Sequence, residues 1–185
     1  ILLSLTILIA LSPLLLVLCI LVRSKLGSPI FFQQERPGLH EKIFTMYKFR
    51  TMTDKRDAEG NLLPDKDRLT KFGKLLRATS LDELPQLFNV FKGDMSLVGP
   101  RPERKTIMQE YEKELPEFYY RLKVKAGLTG YAQVYGKYNT TPYDKLKLDL
   151  FYIENYSFLL DVKLIFMTVK IFFQKEVSEG VDDKQ

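Results

Sequence analysis

Residues 1–22, ILLSLTILIALSPLLLVLCILV, form an uncharged apolar run on which the placement of the rest of the chain depends. At about 1.5 Å per residue, this run predicts a helix roughly 33 Å long, enough to cross the hydrocarbon core of a bilayer. Arg23 and Lys25 follow directly, and positive charge at the end of such a segment favours the cytoplasmic side. The run is too long for a signal peptide, and no small-residue cleavage site follows it. We therefore expect a membrane-embedded helix.

A Ser12-Pro13 pair near the centre of this run breaks its regularity. Proline removes one backbone donor and clashes with the preceding turn, so we expect a kink. The Ser12 hydroxyl can bind a carbonyl that the proline leaves unpaired, which makes a kink tolerable in lipid. A modest kink gives a spanning helix, whereas a sharp bend gives a helix that enters and leaves the same leaflet. Composition alone favours the spanning helix, because kinked spanning helices are common.

Composition restricts the class of protein. The chain has 185 residues, enough for one ordinary domain, and its formal net charge of +5 favours anionic partners such as phosphates, nucleic acid or acidic lipid. Cys19 is the only cysteine and His40 the only histidine, which excludes an intrachain disulfide and cysteine- or histidine-rich metal sites. A reduced, cytosol-facing protein fits this usage. Because the basic residues are dispersed and no binding motif occurs, a nucleic-acid role is disfavoured.

The segment after the apolar run is predicted to form two short strands and a loop. Residues 30–32 and 42–49 are rich in β-favouring residues, and Pro37-Gly38 marks a turn between them. Residues 53–68 are polar, contain a glycine and a proline, and are predicted to form an exposed connector.

Two helices are predicted next. Apolar residues recur at helical spacing in both, the first has a basic side, and Gly93 is placed to end the second. The apolar positions are Leu69, Phe72, Leu75 and Leu76 in the first helix, and Leu84, Leu87, Phe88 and Phe91 in the second.

Adjacent acids, Asp82 and Glu83, stand where the second helix begins. Ser80 and Glu83 match a capping box, and acids in a first turn suit the helix dipole, so helix capping explains them well. Pro85 fits less well with a cap at Ser80 than with a helix that starts at Asp82. A functional explanation instead needs a cationic, phosphate-handling environment around the acids.

Basic residues that can supply this environment lie on either side of the acids. Lys48, Arg50 and Arg77 precede them, and GDMSLVGPRPE at residues 93–103 follows. Glycines and prolines in that string restrict the backbone around Arg101, whose guanidinium can bind phosphate oxygens bidentately. The structural alternative is a turn that carries a solvated arginine.

The C-terminal third is predicted to be mainly helical. Residues 106–115 and 143–156 have helical spacing, whereas 119–136 mixes aromatic and basic residues and then becomes strand-like with glycine turns. Residues 158–174 are apolar but contain Asp161 and two lysines, too many charges for a comfortable membrane span. We expect either a helix lying at the membrane interface or a buried core helix.

Three motifs in order resemble the bacterial sugar transferase family, the monotopic phosphoglycosyl transferases. They are KFRTM at 48–52, LRATSLDELPQLFNVFKGDMSLVGPRPE at 76–103, and GLTGYAQVYGKYNTTPYDKLKLDLFYIENYSFLLDVK at 127–163. The resemblance extends from the Ser-Pro segment to about residue 173 and is strongest to the catalytic domain of the large members, which have further N-terminal membrane helices.

The resemblance implies an α+β, mostly helical fold with small β elements and amphipathic interfacial helices. It implies that Ser12-Pro13 makes residues 1–22 a re-entrant membrane helix, so the expectation of a spanning helix is replaced. Residues 23–176 are then the catalytic domain on the cytoplasmic face of the bacterial inner membrane, and 177–185 are a polar tail.

The resemblance also implies a reaction. Sugar-1-phosphate passes from a UDP-sugar, expected to be UDP-glucose or UDP-galactose, to undecaprenyl phosphate, giving undecaprenyl-diphospho-sugar and UMP in capsule or exopolysaccharide synthesis. Asp82 corresponds to the nucleophile that forms a covalent phosphosugar intermediate, and Glu83 with Asp82 to ligands of Mg²⁺. Membrane lipids are expected partners, and a homodimer is left open.

Phosphate-binding roles are implied for five basic residues: Lys48, Arg50, Arg77, Arg101 and Lys137. At the last position the family reads Asn-Gly-Arg-Asn, whereas this chain has Tyr135-Gly136-Lys137-Tyr138. Lysine keeps the charge but lacks the bidentate fork, so Lys137 can bind a phosphate only as a point charge.

Two other functions are kept open. A membrane-anchored basic scaffold or lipid-binding protein fits the apolar run and the positive charge, but gains nothing from paired acids. A glycosyltransferase that cleaves at the anomeric carbon would release UDP instead of UMP.

Overall fold

Helices dominate the structure, a computed structural model that describes residues 2–136 and 139–172. The α-helices are α1 (Leu2–Leu26), α2 (Asp65–Arg68), α3 (Lys71–Ala78), α4 (Gln86–Lys92), α5 (Lys105–Glu114), α6 (Tyr131–Tyr135), α7 (Pro142–Asn155) and α8 (Phe158–Phe172). The strands are β1 (Phe31–Pro37), β2 (Ile43–Phe49), β3 (Ser96–Val98) and β4 (Gly127–Thr129). Short 3₁₀ helices cover Leu39–Glu41, Leu81–Glu83 and Pro116–Lys123. The predicted α+β, mostly helical class with small β elements is confirmed; the predicted tail, 177–185, lies outside the described residues.

The strands pair as two small sheets. β1 pairs with β2, which confirms the two predicted strands, and β3 pairs with β4 in parallel, with Ser96 opposite Gly127 and Val98 opposite Thr129. The strand-like interpretation of the segment after Gly130 is wrong, because those residues form α6.

The described residues fall into two compact units, which are treated separately below. Unit 1 comprises Ile1–Gln34 and Met46–Phe88, and unit 2 comprises Glu35–Thr45 and Asn89–Gln185.

The core of unit 1 is built on the second half of α1. Leu18, Val22 and Leu26 are buried there with Phe49 and Leu76. In contrast, many other apolar side chains of α1 are exposed, and Leu3–Leu26 is long and apolar enough to cross a membrane, with a mean hydropathy of 3.0. The helix therefore packs on protein along one stripe and presents apolar surface elsewhere.

The Ser12-Pro13 pair lies inside α1, which is continuous across it. Pro13 has no amide hydrogen to donate to the carbonyl of Ile9, its partner one turn earlier. The Ser12 hydroxyl donates to that carbonyl at 2.7 Å, as predicted from the sequence. The helix continues to Leu26, four residues past the predicted end at Val22. The re-entrant course of this helix stays a prediction.

Helix α3 confirms the first of the two predicted central helices. The Thr70 hydroxyl accepts a hydrogen bond from the Gly73 amide and caps the helix. A Cβ on Gly73 would lie 1.8 Å from the Thr51 carbonyl oxygen, so glycine is required for this close approach. Leu76 is buried, whereas Leu75 is 57% exposed and does not belong to the core face predicted for it.

The capping box predicted at Ser80 is wrong. Ser80 has φ 51° and ψ 17°, in the left-handed region, and its side chain makes no capping hydrogen bond. An N-cap residue normally has extended backbone angles, so its oxygen can face the first-turn amides. Helix α4 begins only at Gln86, after Pro85, so neither predicted helix start is correct.

The predicted end of α4 is confirmed, but its predicted apolar face is only partly buried. Gly93 has φ 85°, the left-handed conformation typical of a residue that follows a helix, and its amide donates to the Val90 carbonyl. Leu87 is buried, whereas Phe88 and Phe91 are 45% and 40% exposed.

Unit 2 packs its helices around two apolar clusters. One consists of Met108, Phe118, Leu122 and Leu146, and joins α5 and α7 to the 3₁₀ helix at Pro116–Lys123. The other contains Val98, Tyr152 and Leu164 from β3, α7 and α8. The helices predicted at 106–115, 143–156 and 158–174 correspond to α5, α7 and α8. Leu164 of α8 is buried, but Phe158, Leu159 and Phe166 of the same helix are largely exposed.

We predict that Gly127→Ala destabilises unit 2, because the backbones of β3 and β4 approach too closely for a side chain there. The new Cβ would lie 2.1 Å from the Gly99 nitrogen and 2.5 Å from the Gly99 oxygen. A forced backbone shift of this kind costs about 1–3 kcal/mol, measurable as a lower thermal unfolding midpoint. Gly60→Asn is the control, since Gly60 has φ 86° with open space around it and asparagine tolerates that conformation. Equal midpoints for the two variants would contradict the prediction.

Candidate functional site

The paired acids lie in a short segment that is anchored to the core of unit 1. Leu81 and Leu84, which flank Asp82 and Glu83, pack against the cluster formed by α1, Phe49 and Leu76. Asp82 is only 8% exposed. A buried carboxylate is costly unless other groups compensate it, so the surroundings of Asp82 matter to the stability of this segment.

Lys48 compensates one of the two acids. Its ammonium lies 2.6 Å from Glu83 Oε1, and both side chains are largely buried. A charge-assisted hydrogen bond of this length is among the stronger polar contacts in a protein. The structure therefore brings together two of the predicted site residues, one from β2 and one from the 3₁₀ helix at Leu81–Glu83.

Arg50 and Arg77 bind groups near the end of β2. The Arg50 guanidinium donates to the Ser28 carbonyl at 2.6 Å and forms an ion pair with Asp54. The hydrogen bond from Arg50 holds the pKa of the Asp54 carboxyl below its usual value. Arg77 Nε donates to Thr51 Oγ1 at 3.1 Å. Through these contacts both arginines link the end of β2 and the residues after it to other parts of unit 1.

Arg101 belongs to unit 2 and follows β3. Its side chain is exposed, whereas Pro100 and Pro102 on either side are buried. The segment therefore presents a guanidinium from a fixed backbone, as the sequence indicated. Lys137 lies outside the described residues.

Unit 2 contains a buried ionic cluster that was not predicted from the sequence. Arg121 and Asp149 are 2% and 1% exposed, and Arg121 Nη2 lies 2.7 Å from Asp149 Oδ2. Arg121 Nη1 also lies 3.7 Å from Glu103 Oε1, and that carboxylate accepts from Lys145 Nζ at 2.7 Å. One signal was available in the sequence, because Asp149 lies three residues after Leu146 on the apolar side of α7.

The two carboxylates of this cluster titrate differently. Burial raises the pKa of Asp149, and the neighbouring Arg121 only partly offsets this effect. Burial also acts to raise the pKa of Glu103, but the hydrogen bond from Lys145 and the nearby positive charges bring it below its usual value. The Glu103 charge is therefore well supported in the folded chain.

Asp82 and Glu83 are side chains that could bind a divalent cation. Within residues 2–136 and 139–172, no three histidine, cysteine or acidic side chains cluster as a metal cage. Mg²⁺ commonly uses one or two carboxylates and completes its shell with water and substrate phosphates. Asp82 and Glu83 are adjacent carboxylates that could hold Mg²⁺ in this way.

Comparison with known proteins matches the chain to one family model and to several relatives. The model, described as bacterial sugar transferase, matches residues 1–175. A Bacillus subtilis (strain 168) protein named as the uncharacterized sugar transferase EpsL is 53% identical, over 86% of this chain and 76% of its own length.

Two further relatives have names that state a reaction. An Aeromonas hydrophila UDP-N-acetylgalactosamine-undecaprenyl-phosphate N-acetylgalactosaminephosphotransferase is 41% identical over 86% of this chain. A Klebsiella pneumoniae UDP-glucose:undecaprenyl-phosphate glucose-1-phosphate transferase is 42% identical over 88% of this chain. The match covers only 39% and 37% of these two proteins.

Proposed function

The chain belongs to the bacterial sugar transferase family, and on that premise we propose that it transfers a sugar-1-phosphate from a UDP-sugar to undecaprenyl phosphate. The observation that carries the proposal is the buried Asp82 beside a Glu83 that is ion-paired with Lys48. A lipid-binding scaffold has no use for such a pair, whereas phosphoryl transfer needs a nucleophile, a metal ligand and positive charge. UDP-glucose and UDP-galactose are the proposed donors.

Asp82 is the proposed nucleophile of the first step. We propose that Asp82 acts as the carboxylate, which is a nucleophile without a base to activate it. One Asp82 oxygen forms a bond to the β-phosphorus of the UDP-sugar. The bond between that phosphorus and the bridging oxygen breaks, and UMP leaves with the bridging oxygen and its electron pair. The enzyme then carries the sugar-1-phosphate as an acyl phosphate.

Undecaprenyl phosphate completes the proposed reaction. One of its phosphate oxygens attacks the same phosphorus, the bond to Asp82 breaks, and the carboxylate is regenerated. The product is undecaprenyl-diphospho-sugar. Because a soluble donor and a lipid acceptor then use Asp82 in turn, the scheme predicts ping-pong kinetics.

The basic residues and the metal are proposed to offset the negative charge of the diphosphate. Lys48 has its ammonium next to Glu83 and is suited to bind a donor phosphate oxygen. Arg101 is proposed to bind phosphate oxygens through its exposed guanidinium, with Arg50 and Arg77 as electrostatic support. Mg²⁺ held by Glu83 and Asp82 would stabilise the leaving phosphate when bound. Lys137 keeps a proposed phosphate-binding role.

The membrane arrangement is part of the proposal. We place α1 as a re-entrant helix in the cytoplasmic leaflet of the bacterial inner membrane, so that both of its ends face the cytoplasm. The exposed Phe158, Leu159 and Phe166 of α8 suit a helix at the headgroup boundary, where aromatic residues are favoured. In this arrangement the UDP-sugar from the cytoplasm and the phosphate of undecaprenyl phosphate in the leaflet would both be available at the cytoplasmic face of the membrane.

We predict that Asp82→Asn abolishes transfer, since an amide cannot form the phosphosugar bond. With UDP-glucose or UDP-galactose alone, intact-protein mass spectrometry of the wild type should show a hexose-phosphate adduct and stoichiometric UMP. The variant should show neither, with an unchanged thermal unfolding midpoint. Asp57→Asn, which changes a carboxylate in the exposed loop of the same unit, is the control and should keep both signals.

Two results would count against the assignment of Asp82. An Asp82→Asn variant that retains most of the activity would exclude it as the nucleophile. Release of UDP in place of UMP would instead show an ordinary glycosyltransferase.

We predict that Glu83→Gln shifts the Mg²⁺ dependence of UMP release. Loss of one carboxylate charge weakens the proposed cation site, so half-maximal activity should require a Mg²⁺ concentration about tenfold higher. Glu59→Gln, in the exposed loop, is the matched control. An Mg²⁺ titration identical to that of the wild type would remove Glu83 as a ligand.

We predict that Pro13→Ala straightens α1 and favours a spanning course, because it restores the donor to Ile9 and removes the ring clash. The measurement is cysteine-accessibility labelling. Single cysteines are introduced at residues 2 and 25 of a Cys19→Ser chain that carries only an added initiator methionine, and their labelling shows which side of the membrane each end of α1 faces. The wild-type sequence should show both ends on the cytoplasmic side, and the variant should move residue 2 to the opposite side. If the variant still has both ends on the cytoplasmic side, the proline is not decisive.

A further inference from the structure

Three consecutive backbone carbonyls in unit 2 are each bound by a donor from a distant part of the sequence. Pro100 O accepts from the Gly127 amide at 2.9 Å, and Arg101 O accepts from Arg121 Nη2 at 2.9 Å. Pro102 O accepts from Arg36 Nη1 at 3.1 Å. The backbone that carries Arg101 is thus held at three adjacent points.

The composition of this tripeptide explains why outside donors are needed. Pro100 and Pro102 have no amide hydrogen, so the segment cannot continue the β3 ladder in a regular way. The hydrogen bonds to the Arg101 and Pro102 carbonyls are partly or fully buried, and these carbonyls would cost free energy if they were left unpaired. The donors that satisfy these two are guanidinium groups, which provide rigid, directed N–H bonds.

Burying a guanidinium group is unfavourable, so the burial of these two groups needs an explanation. Arg36 and Arg121 are 9% and 2% exposed. Arg121 is compensated by Asp149, which accepts from both Nε at 3.0 Å and Nη2 at 2.7 Å. A solvated turn would not need a buried ion pair to hold its backbone, so the arrangement points to a segment that has to be fixed accurately.

We propose that Arg121 and Arg36 are positioning residues that fix the backbone of Arg101, so that its guanidinium is preorganised to bind a phosphate group of the nucleotide-sugar. This inference rests on the proposed function. Arg101 is the only exposed member of the tripeptide, so it alone can meet a ligand from solvent. A preorganised side chain loses less conformational entropy on binding.

The role inferred for Arg121 is exerted through Arg101, because the Arg121 guanidinium is almost completely buried and is bound by protein groups. Its Nε and Nη2 are used by Asp149 and by the Arg101 carbonyl, and Nη1 faces Glu103 at 3.7 Å. Lysine at this position keeps the charge for Asp149 but lacks the fork that reaches the carbonyl at the same time. Arg121→Lys therefore loosens the segment without leaving Asp149 uncompensated.

The test is a double-mutant cycle with the full chain in detergent. The value of kcat/KM for the UDP-sugar, from UMP release, is measured for Arg121→Lys, Arg101→Ala and the double variant. Arg121→Lys should lower kcat/KM about tenfold in the wild-type background, but less than about twofold when Arg101 is already alanine. A residue that merely stabilises the fold would lower activity by the same factor in both backgrounds.

A second variant and a matched control distinguish a positioning role from a general loss of stability. Arg36→Lys loosens the segment from the other side and should show the same dependence on Arg101. Arg68→Lys is the matched control, because Arg68 also donates to a backbone carbonyl, that of Thr53, and pairs with nearby aspartates in a polar loop of unit 1. It should leave kcat/KM unchanged.

The outcomes separate this inference from the proposed function. An active wild type in which both lysine variants have no effect, or have equal effects in the two backgrounds, would overturn the positioning role and leave the function standing. A wild type that releases no UMP with any UDP-sugar would overturn the proposed function, and this inference with it.

Discussion

The apolar core at the end of α1 is the constraint on which the rest of unit 1 depends. Leu18, Val22 and Leu26 bury their side chains against Phe49 and Leu76, and full burial of such a side chain contributes about 1.5–3 kcal/mol. The same core holds Leu81 and Leu84 on either side of the paired acids. A helix apolar enough to enter lipid and the segment that carries the paired acids thus share one set of contacts. The position of the acids relative to that helix is set by packing.

The two units handle buried charge in different ways. In unit 1, the side chains of Lys48 and Glu83 are 18% and 15% exposed, so this pair is less enclosed than the one in unit 2. In unit 2, Arg121 and Asp149 are almost completely enclosed, and their pairing satisfies a backbone carbonyl as well. The first arrangement leaves the pair access to solvent, which the proposed reaction would need, and the second suits a support that does not change.

Local patterns in the sequence predicted most elements but not the contacts between distant residues. The apolar helix, the two paired strands, Gly93 and the hydroxyl of Ser12 followed from neighbours a few residues apart, and each is confirmed. Pairing of β3 with β4 was missed because each strand has three residues, too few for a periodic signal. The link between Arg121 and Asp149 was missed because 28 positions separate them. The predicted capping box is wrong because Ser80 has a left-handed backbone conformation in place of the extended one that a capping residue needs. The chemical roles of the acids stay predictions.

The Ser12 hydroxyl has a consequence for the membrane placement proposed for α1. A proline in a lipid-facing helix ordinarily leaves an open acceptor that draws in water or a neighbouring donor. Here the acceptor on Ile9 is already filled from within the same turn. In the proposed membrane setting, a bend at Pro13 would therefore leave the Ile9 carbonyl paired. The helix could then adjust its angle there without drawing water or a neighbouring donor to that atom.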